Sequence, residues 1–487
     1  MSAACTLAAA GPDAGPFTHD LIVLGCGPAG MSAAIAGWEA GLHTMVVDEQ
    51  SGPGGQIYRN ISALTEPVAR LLGPDYEYGA TLAQRFGRSK VEHRRGATVW
   101  DISPELVVTL LQNGVSAQFR ARQLILSTGA IERATPIPGW TLPGVLNAGA
   151  AQIALKSAGS IPAGRIVLVG NGPLLLLVAC QLLDAGGSVV GIVETSPAGN
   201  RWRALRHAFG ALGAPGYLVK GLGLLRRLRA QGVPMFKCAS EPAVEGETAV
   251  RSLSFCSGGR QHHIDADTVL LHHGVVPNIQ VSRLLRVEHL WDPDQVAWRP
   301  QVGAFGETSL TGVRIAGDGA GIAGARAAEA SGALAALGAA LALARLDQAE
   351  FQRRALPWQK EMKRHLRIRP FLEELYRPPQ WLAAPADDTI VCRCEEVSAG
   401  KIREMARLGC QGPNQTKFFS RCGMGPCQGR MCGSAVTQIL AASLGRPPDQ
   451  IGAYHVRAPL KPIPLSAVAA MASPRMQDQN NPSTQGH

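Results

Sequence analysis

The sequence predicts an α/β protein in which one strand, glycine turn, helix and strand unit is followed by a second copy, with a small cysteine-rich domain after both. Three observations carry this. "DLIVLGCGPAGMSAAIAGWEAGLHTMVVDEQ" runs from an apolar strand through a glycine turn into an apolar helix and a strand ending in an acid. "GRIVLVGNGPLLLLVACQLLDAGGSVVGIVE" repeats that order. Six of the 11 cysteines then fall between Val391 and Gly433.

In the first unit Leu21–Leu24 meets Gly25-x-Gly27-Pro28-Ala29-Gly30, and Asp48 and Glu49 follow the strand Thr44–Val47. Gly25 permits the tight turn, Gly27 lets a pyrophosphate approach the backbone, and Gly30 lets helix and strand pack closely. The helix start carries roughly half a positive charge and free N–H groups, which suit a diphosphate. Asp48 stands where an acid accepts hydrogen bonds from adenosine ribose hydroxyls. A bound dinucleotide is the expectation here.

The second unit has Gly170-x-Gly172 and an acid, Glu194, at the end of its second strand, but Leu175 replaces the third glycine. That side chain should part helix from strand or alter the turn below a pyrophosphate. A structural domain is therefore favoured over nicotinamide binding. The stretch "VWDISPELVVTLLQNGVSAQFRARQLILSTG" alternates around Asn113-Gly114 and reads as a β-meander.

After Asp48 comes "SGPGGQIYR", with Gln56 and Arg59 where a redox-active cysteine pair would stand, and no C-x-x-C occurs in the chain. This excludes a disulfide reductase. Gly54 and Gly55 let this loop run close to a ring system. No Ser/His/Asp set or HExxH occurs, so no catalytic acid or base is named. His262-His263 and His272-His273 lie on strand-like segments, where neighbours point to opposite faces, so neither pair should share a metal.

Net charge is +10, with basic patches at Arg201–Arg206, Lys220–Arg229 and Arg353–Arg377. They lack interleaved aromatics, which argues against nucleic acid. A solvated face is preferred, and docking of an acidic partner comes second. The N-terminus has no basic region before an apolar run, so no signal peptide is expected. The alanine-rich stretch Ala327–Leu346 contains Glu329 and reads as a buried helix, not a membrane span. A cytoplasmic protein is expected, where clustered cysteines more often hold metal.

Cys392-x-Cys394 and Cys427-x4-Cys432 form two close pairs, and four thiolates complete the shell of a 2Fe–2S cluster. Zinc is the alternative, although its pairs are usually spaced C-x2–4-C. Cys422 competes with Cys432, being equally far from Cys427, and Cys410 reads as a packed helix-end thiol. "SAGKIREMARLG" should form a helix capped by Ser398 and stopped by Gly409.

Further motifs carry resemblances. "TSLTGVRIAGDGAG", with Gly317 and Asp318, resembles the second flavin fingerprint of the two-dinucleotide-binding-domain flavoproteins, the glutathione and thioredoxin reductase superfamily. "LILSTGAIERATPIPG", with Thr128 and Gly129, and "HHGVVPN" resemble the superfamily's two crossovers. The resemblance implies FAD, with Asp318 on a ribityl hydroxyl and Gly55, Gln56 and Arg59 along the isoalloxazine. The cysteine region resembles the bacterioferritin-associated-ferredoxin-like 2Fe–2S domain, whose second pair is C-x2-C, closer than here. It is the two residues after "GMG" that this resemblance favours, Cys427 and Cys432.

The whole order resembles the FAD/2Fe–2S components of heteromeric amino-acid dehydrogenases. These include the A-type component of opine oxidase, the B-type component of hydrogen cyanide synthase, and the α subunits of dye-linked proline and hydroxyproline dehydrogenases. The resemblance implies an FAD-containing β subunit that oxidises a C–N bond of an opine (octopine or nopaline), D-hydroxyproline or proline. It also implies a downstream electron acceptor and a small ferredoxin-like γ subunit. FMN or ATP on this subunit or at its interface is an alternative cofactor. The competing function is a self-contained NAD(P)H-dependent flavin/2Fe–2S reductase. The expected divisions are a tail (1–17), a discontinuous FAD domain (18–145 and 287–346), an inserted NAD(P)-binding-like domain (146–286), a basic linker (347–388), a 2Fe–2S domain (389–455) and a second tail (456–487).

Overall fold

The computed structural model describes residues 16–63 and 66–472; most of the expected N-terminal tail and the last part of the C-terminal one lie outside these. Parallel strands Glu92–Arg95, Thr44–Asp48, His19–Leu24, Val115–Leu126 and Val313–Ile315 form the first sheet in that spatial order. Leu21, Ile22, Val23, Leu124 and Ile125 are fully buried in it. Each such side chain contributes about 1.5–3 kcal/mol of apolar burial.

Helix Pro28–Glu39 lies against helix Ala325–Ala342, and small residues set their spacing. A Cβ on Gly332 would stand 2.0 Å from the Ala29 carbonyl oxygen. The alanine-rich stretch is thus a buried helix, and no described helix is long and apolar enough to cross a membrane. The meander follows from its turn: Asn113 (φ 51°) and Gly114 (φ 80°) are both left-handed, as a type I′ hairpin requires.

A second parallel sheet orders Met235–Phe236, Ser188–Glu194, Arg165–Asn171, Thr268–His273 and Val145–Asn147. The crossover segments Ala130–Glu132 and Val275–Pro277 pair antiparallel between the two sheets. Each residue of the second histidine pair has its own environment: His272 meets Glu132, whereas His273 lies between Thr135 and Thr195.

Two expected segments differ. The basic linker is helical over Gln348–Leu366 and Arg369–Leu375; Asp347 caps the first helix by accepting from the Glu350 N–H at 2.8 Å, and Phe351 and Ala355 are buried. Basic groups are met locally by acids: Arg203 and Arg206 of the inserted domain meet Glu374, while Lys220 meets Asp75. Residues 456–472 are not a loose tail. Val456 and Leu460 are apolar and buried, the Leu460 N–H donates to the Trp100 carbonyl at 2.7 Å, and Lys461 pairs with Glu49.

The cysteine-rich region packs around Ile402, Val436, Ile439 and Leu440. Helix Ala399–Arg407 begins at Ser398, whose hydroxyl accepts from the Lys401 N–H, and Gly409 beyond it has φ 101°. The Trp140 indole donates to the Ile390 carbonyl at 2.6 Å, fastening this region to the segment that leads into the inserted domain.

Candidate flavin cradle and thiol cluster

Four separate segments meet around the first glycine turn. A Cβ on Gly30 would fall 1.8 Å from the Gly25 carbonyl oxygen, so only glycine allows this helix to sit so low. A Cβ on Gly55 would stand 2.8 Å from Gly27 Cα, which brings the Gly54–Arg59 loop onto the turn. From the other side, a Cβ on Gly317 would touch Ala29, and one on Gly319 would lie 3.5 Å from Thr128 and Gly129. Gly25, Gly27, Pro28, Ala29, Gly30, Gly55, Thr128, Gly129, Gly317 and Asp318 are thus gathered in one place.

The donor set fits a dinucleotide. Helix Pro28–Glu39 starts with no side-chain cap, which leaves its first N–H groups for an anion. Asp48 accepts from the N–H groups of Cys26 and Gln50, fixing the acid at the strand end. Burial raises its carboxyl above the ordinary value, while those two hydrogen bonds pull the other way. Asp318 accepts from the N–H groups of Ala323 and Gly324 through Oδ1 alone, at 2.9 and 3.0 Å. Among the described residues its second oxygen forms no such bond. Glu49 points elsewhere, to Lys461.

Lys156 was not legible as a site residue. It lies on helix Ala148–Ala158 of the inserted domain, 4% exposed, and donates to the carbonyls of Ile57 (2.8 Å) and Gln56 and to Gln152 Oε1 (2.9 Å). Burial, with the charge of Arg59, pulls its pKa down to about 7. The signal available in sequence was a lone lysine four residues after Gln152 on an otherwise apolar helix. Arg59 donates to Gln56 Oε1 at 2.9 Å, and its Nε is buried without a partner among the described residues.

At the second cradle the chain itself contacts the turn and the acid. Gly170 and Gly172 keep left-handed φ values, and Leu175 is accommodated in the helix core, 1% exposed. Asn171, between the glycines, donates to the carbonyls of Tyr376 (3.0 Å) and Arg377 (3.4 Å). Asn200 donates to Leu375 and Arg377, and Glu194 pairs with Arg201 at 3.3 Å. The glycine turn and the acid that would meet a nucleotide are both engaged by protein groups.

The thiols form a triad and a pair. Cys392, Cys422 and Cys432 are buried with sulfurs within 4.8 Å of one another. Hydrogen bonds from the Cys422 and Cys432 thiols, then from the Gly423 N–H, hold Cys392 down at about 2. Cys394, exposed, hydrogen-bonds with Cys427. A Cβ on Gly425 would stand 2.2 Å from Cys394 Cβ, so this glycine admits the thiol to the second loop. The expected set of Cys392, Cys394, Cys427 and Cys432 is therefore divided between the two groups. Cys422, disfavoured by the motif order, stands in the triad because the turn at Gly423 points it inward. Cys410 is buried but outside the triad. Facing thiols on glycine-rich turns, one of them held at low pKa, are a donor set suited to a soft metal or iron–sulfur centre.

Fold and cradle define a two-dinucleotide-domain flavoprotein architecture. Residues 19–332 match the pyridine nucleotide-disulphide oxidoreductase family, and residues 387–472 match the sarcosine oxidase A3 domain. The A-type component of opine oxidase from Agrobacterium tumefaciens is 43% identical over 462 residues, covering 93% of this chain and 91% of that protein. Hydrogen cyanide synthase subunit HcnB of Pseudomonas aeruginosa is 31% identical over 459 residues, covering 92% and 97%. L-proline dehydrogenase from P. horikoshii shares the fold, with TM-score 0.68 and 17% identity over 92% of this chain and 79% of that one. The chain belongs to the pyridine nucleotide-disulphide oxidoreductase family and, within it, to the enzyme subunits that include the A-type component of opine oxidase. It is an FAD-dependent oxidoreductase.

Proposed function

We propose that this chain is the electron-transfer subunit of a heteromeric dehydrogenase acting on CH–NH donors. A partner β subunit with its own FAD oxidises the C–N bond of an opine of octopine or nopaline type, with D-hydroxyproline or proline as further candidates. Electrons leave through this chain toward a downstream acceptor, with a small ferredoxin-like γ subunit in the same complex. The carrying observation is the pairing of a flavin cradle that lacks a cysteine pair at Gln56–Arg59 with a gathered set of thiols at Cys392, Cys422 and Cys432. The names of these relatives, each one part of a larger enzyme, support the heteromeric part.

FAD, when bound, supplies two-electron chemistry that can be released one electron at a time, and a 2Fe–2S cluster supplies a one-electron relay. The helix start at Pro28 holds the diphosphate, Asp48 and Asp318 take hydroxyl groups, and the Gly54–Arg59 loop limits water at the ring. Cys392 and its neighbours hold the cluster. The closed second cradle supports this reading over an NAD(P)H-dependent reductase.

Co-expression with a candidate β subunit, followed by anaerobic mixing with octopine, nopaline, D-hydroxyproline and proline, tests the assignment. Bleaching of the flavin absorbance by one of these, together with a 2Fe–2S EPR signal from the reduced complex, is expected. Bleaching by NADH alone, or stoichiometric zinc without iron, would replace it.

A further inference from the structure

A cleft separates the crossover strand Val275–Pro277 and helix Gln280–Leu284 from the thiol domain. Val276, Pro277 and Val456 give it an apolar side. Two guanidinium groups line it, Arg283 from the flavin side and Arg430 from the thiol side, and none of its lining residues is Asp or Glu. Neither arginine has an ion pair among the described residues: Arg283 stacks on Trp298 at 4.8 Å, and Arg430 donates through Nε to the Cys427 carbonyl at 3.1 Å.

Donors on these walls lack acceptors. Nε and Nη2 of Arg283 are buried without a hydrogen-bond partner among the described residues, and so is the indole N–H of Trp298, a residue 9% exposed. Native structures rarely leave buried donors unmet, and an unpaired buried cation is the costliest kind. Burial accordingly pulls Arg283 down to about 10. Helix Gly433–Leu444 begins in the same cleft, where Gly433 and Ser434 line the wall and no side chain caps its start. The Gly433 N–H already donates to the Gly429 carbonyl at 2.8 Å, so it is the helix dipole that favours an anion there. Gln280 donates to the Gln428 carbonyl across the cleft at 3.4 Å, so the two walls already meet.

We propose that this cleft binds a small organic anion, a carboxylate or phosphate ester on an apolar body. Its oxyanion sits between Arg283, Arg430 and the start of helix Gly433–Leu444, and its body rests on Val276, Pro277 and Val456. The planar guanidinium forks match either oxyanion in a bidentate way, and the absence of acids on the walls disfavours cations.

Calorimetric titration of the full flavin-loaded chain with inorganic phosphate, and separately with benzoate, tests it. Saturable binding of at least one is expected, weakened about tenfold in Arg283→Gln and in Arg430→Gln with flavin content unchanged. Trp298→Phe keeps the ring and removes only the N–H donor, so it should weaken binding severalfold without disturbing the fold. Binding of phosphate without benzoate identifies a phosphate ester, and the reverse a carboxylate. No saturable heat with either, or the same affinity in all three variants as in wild type, overturns the proposal.

Discussion

The ammonium of Lys156 donates to the Ile57 carbonyl at 2.8 Å, tying the inserted domain to the loop that follows the flavin cradle. This lysine has a folded-state pKa of about 7, below its ordinary 10.5. Between those values the unfolded chain binds the extra proton, so stability is full above the unfolded value and is lost as pH falls toward 7. The slope is about 1.4 kcal/mol per pH unit at most. Lys156→Met should flatten the rise of stability between pH 7 and pH 10 in urea melts. Parallel slopes for variant and wild type would show that Lys156 keeps its charge on folding.

Asp318 holds its turn through one oxygen and leaves the other for a ligand. Asp318→Asn can keep the acceptor facing Ala323 and Gly324 while replacing the second oxygen with an amide. FAD should bind about tenfold more weakly, with little change in melting temperature. Full FAD retention after dialysis would make Asp318 a turn residue only.

Calorimetry should give no saturable NADH or NADPH binding to wild type, because residues 375–377 engage the second glycine turn and the neighbouring Asn200. Leu175→Gly alone should not restore it, since Asn171 would still hold Tyr376. Micromolar binding by wild type would require the segment to move aside and would favour the reductase reading.

Serine substitution should distinguish the thiols. Cys392→Ser, Cys422→Ser and Cys432→Ser each remove a member of the buried triad, and each should lose more than roughly half of the bound iron. Cys394→Ser and Cys427→Ser should distort the EPR signal of the reduced protein, and Cys410→Ser should leave it as in wild type. Flavin should stay bound throughout, because its cradle lies in a separate core. Wild-type iron in Cys422→Ser would return that residue to packing.

The cradle was legible because each of its parts is local. Gly25 to Gly30, the Asn113-Gly114 turn and the Ser398 cap each need only neighbours in sequence to fix their geometry. What escaped is long-range. Nothing near Cys422 announces that the turn at Gly423 directs its sulfur toward Cys392, and motif order favoured Cys427 and Cys432. The basic linker looked polar because its arginines dominate, yet its Glu374 meets arginines of the inserted domain only after folding. Leu175 suggested a damaged nucleotide site, but the structure adds a different cause, the segment at Tyr376.

That segment is held by its main chain. Asn171 and Asn200 bond to the carbonyls of Leu375, Tyr376 and Arg377, groups that every amino acid possesses. Those four bonds need no particular side chain at these three positions, although Arg377 adds a bond of its own to the Pro293 carbonyl at 2.8 Å, whereas they do need the two asparagines. Traces of this closure in descendants should be sought at Asn171 and Asn200, far in sequence from the segment they retain. On the proposed function, such a closure would keep the enzyme's electrons apart from the nicotinamide pool, and turnover would answer to the supply of its own substrate and acceptor.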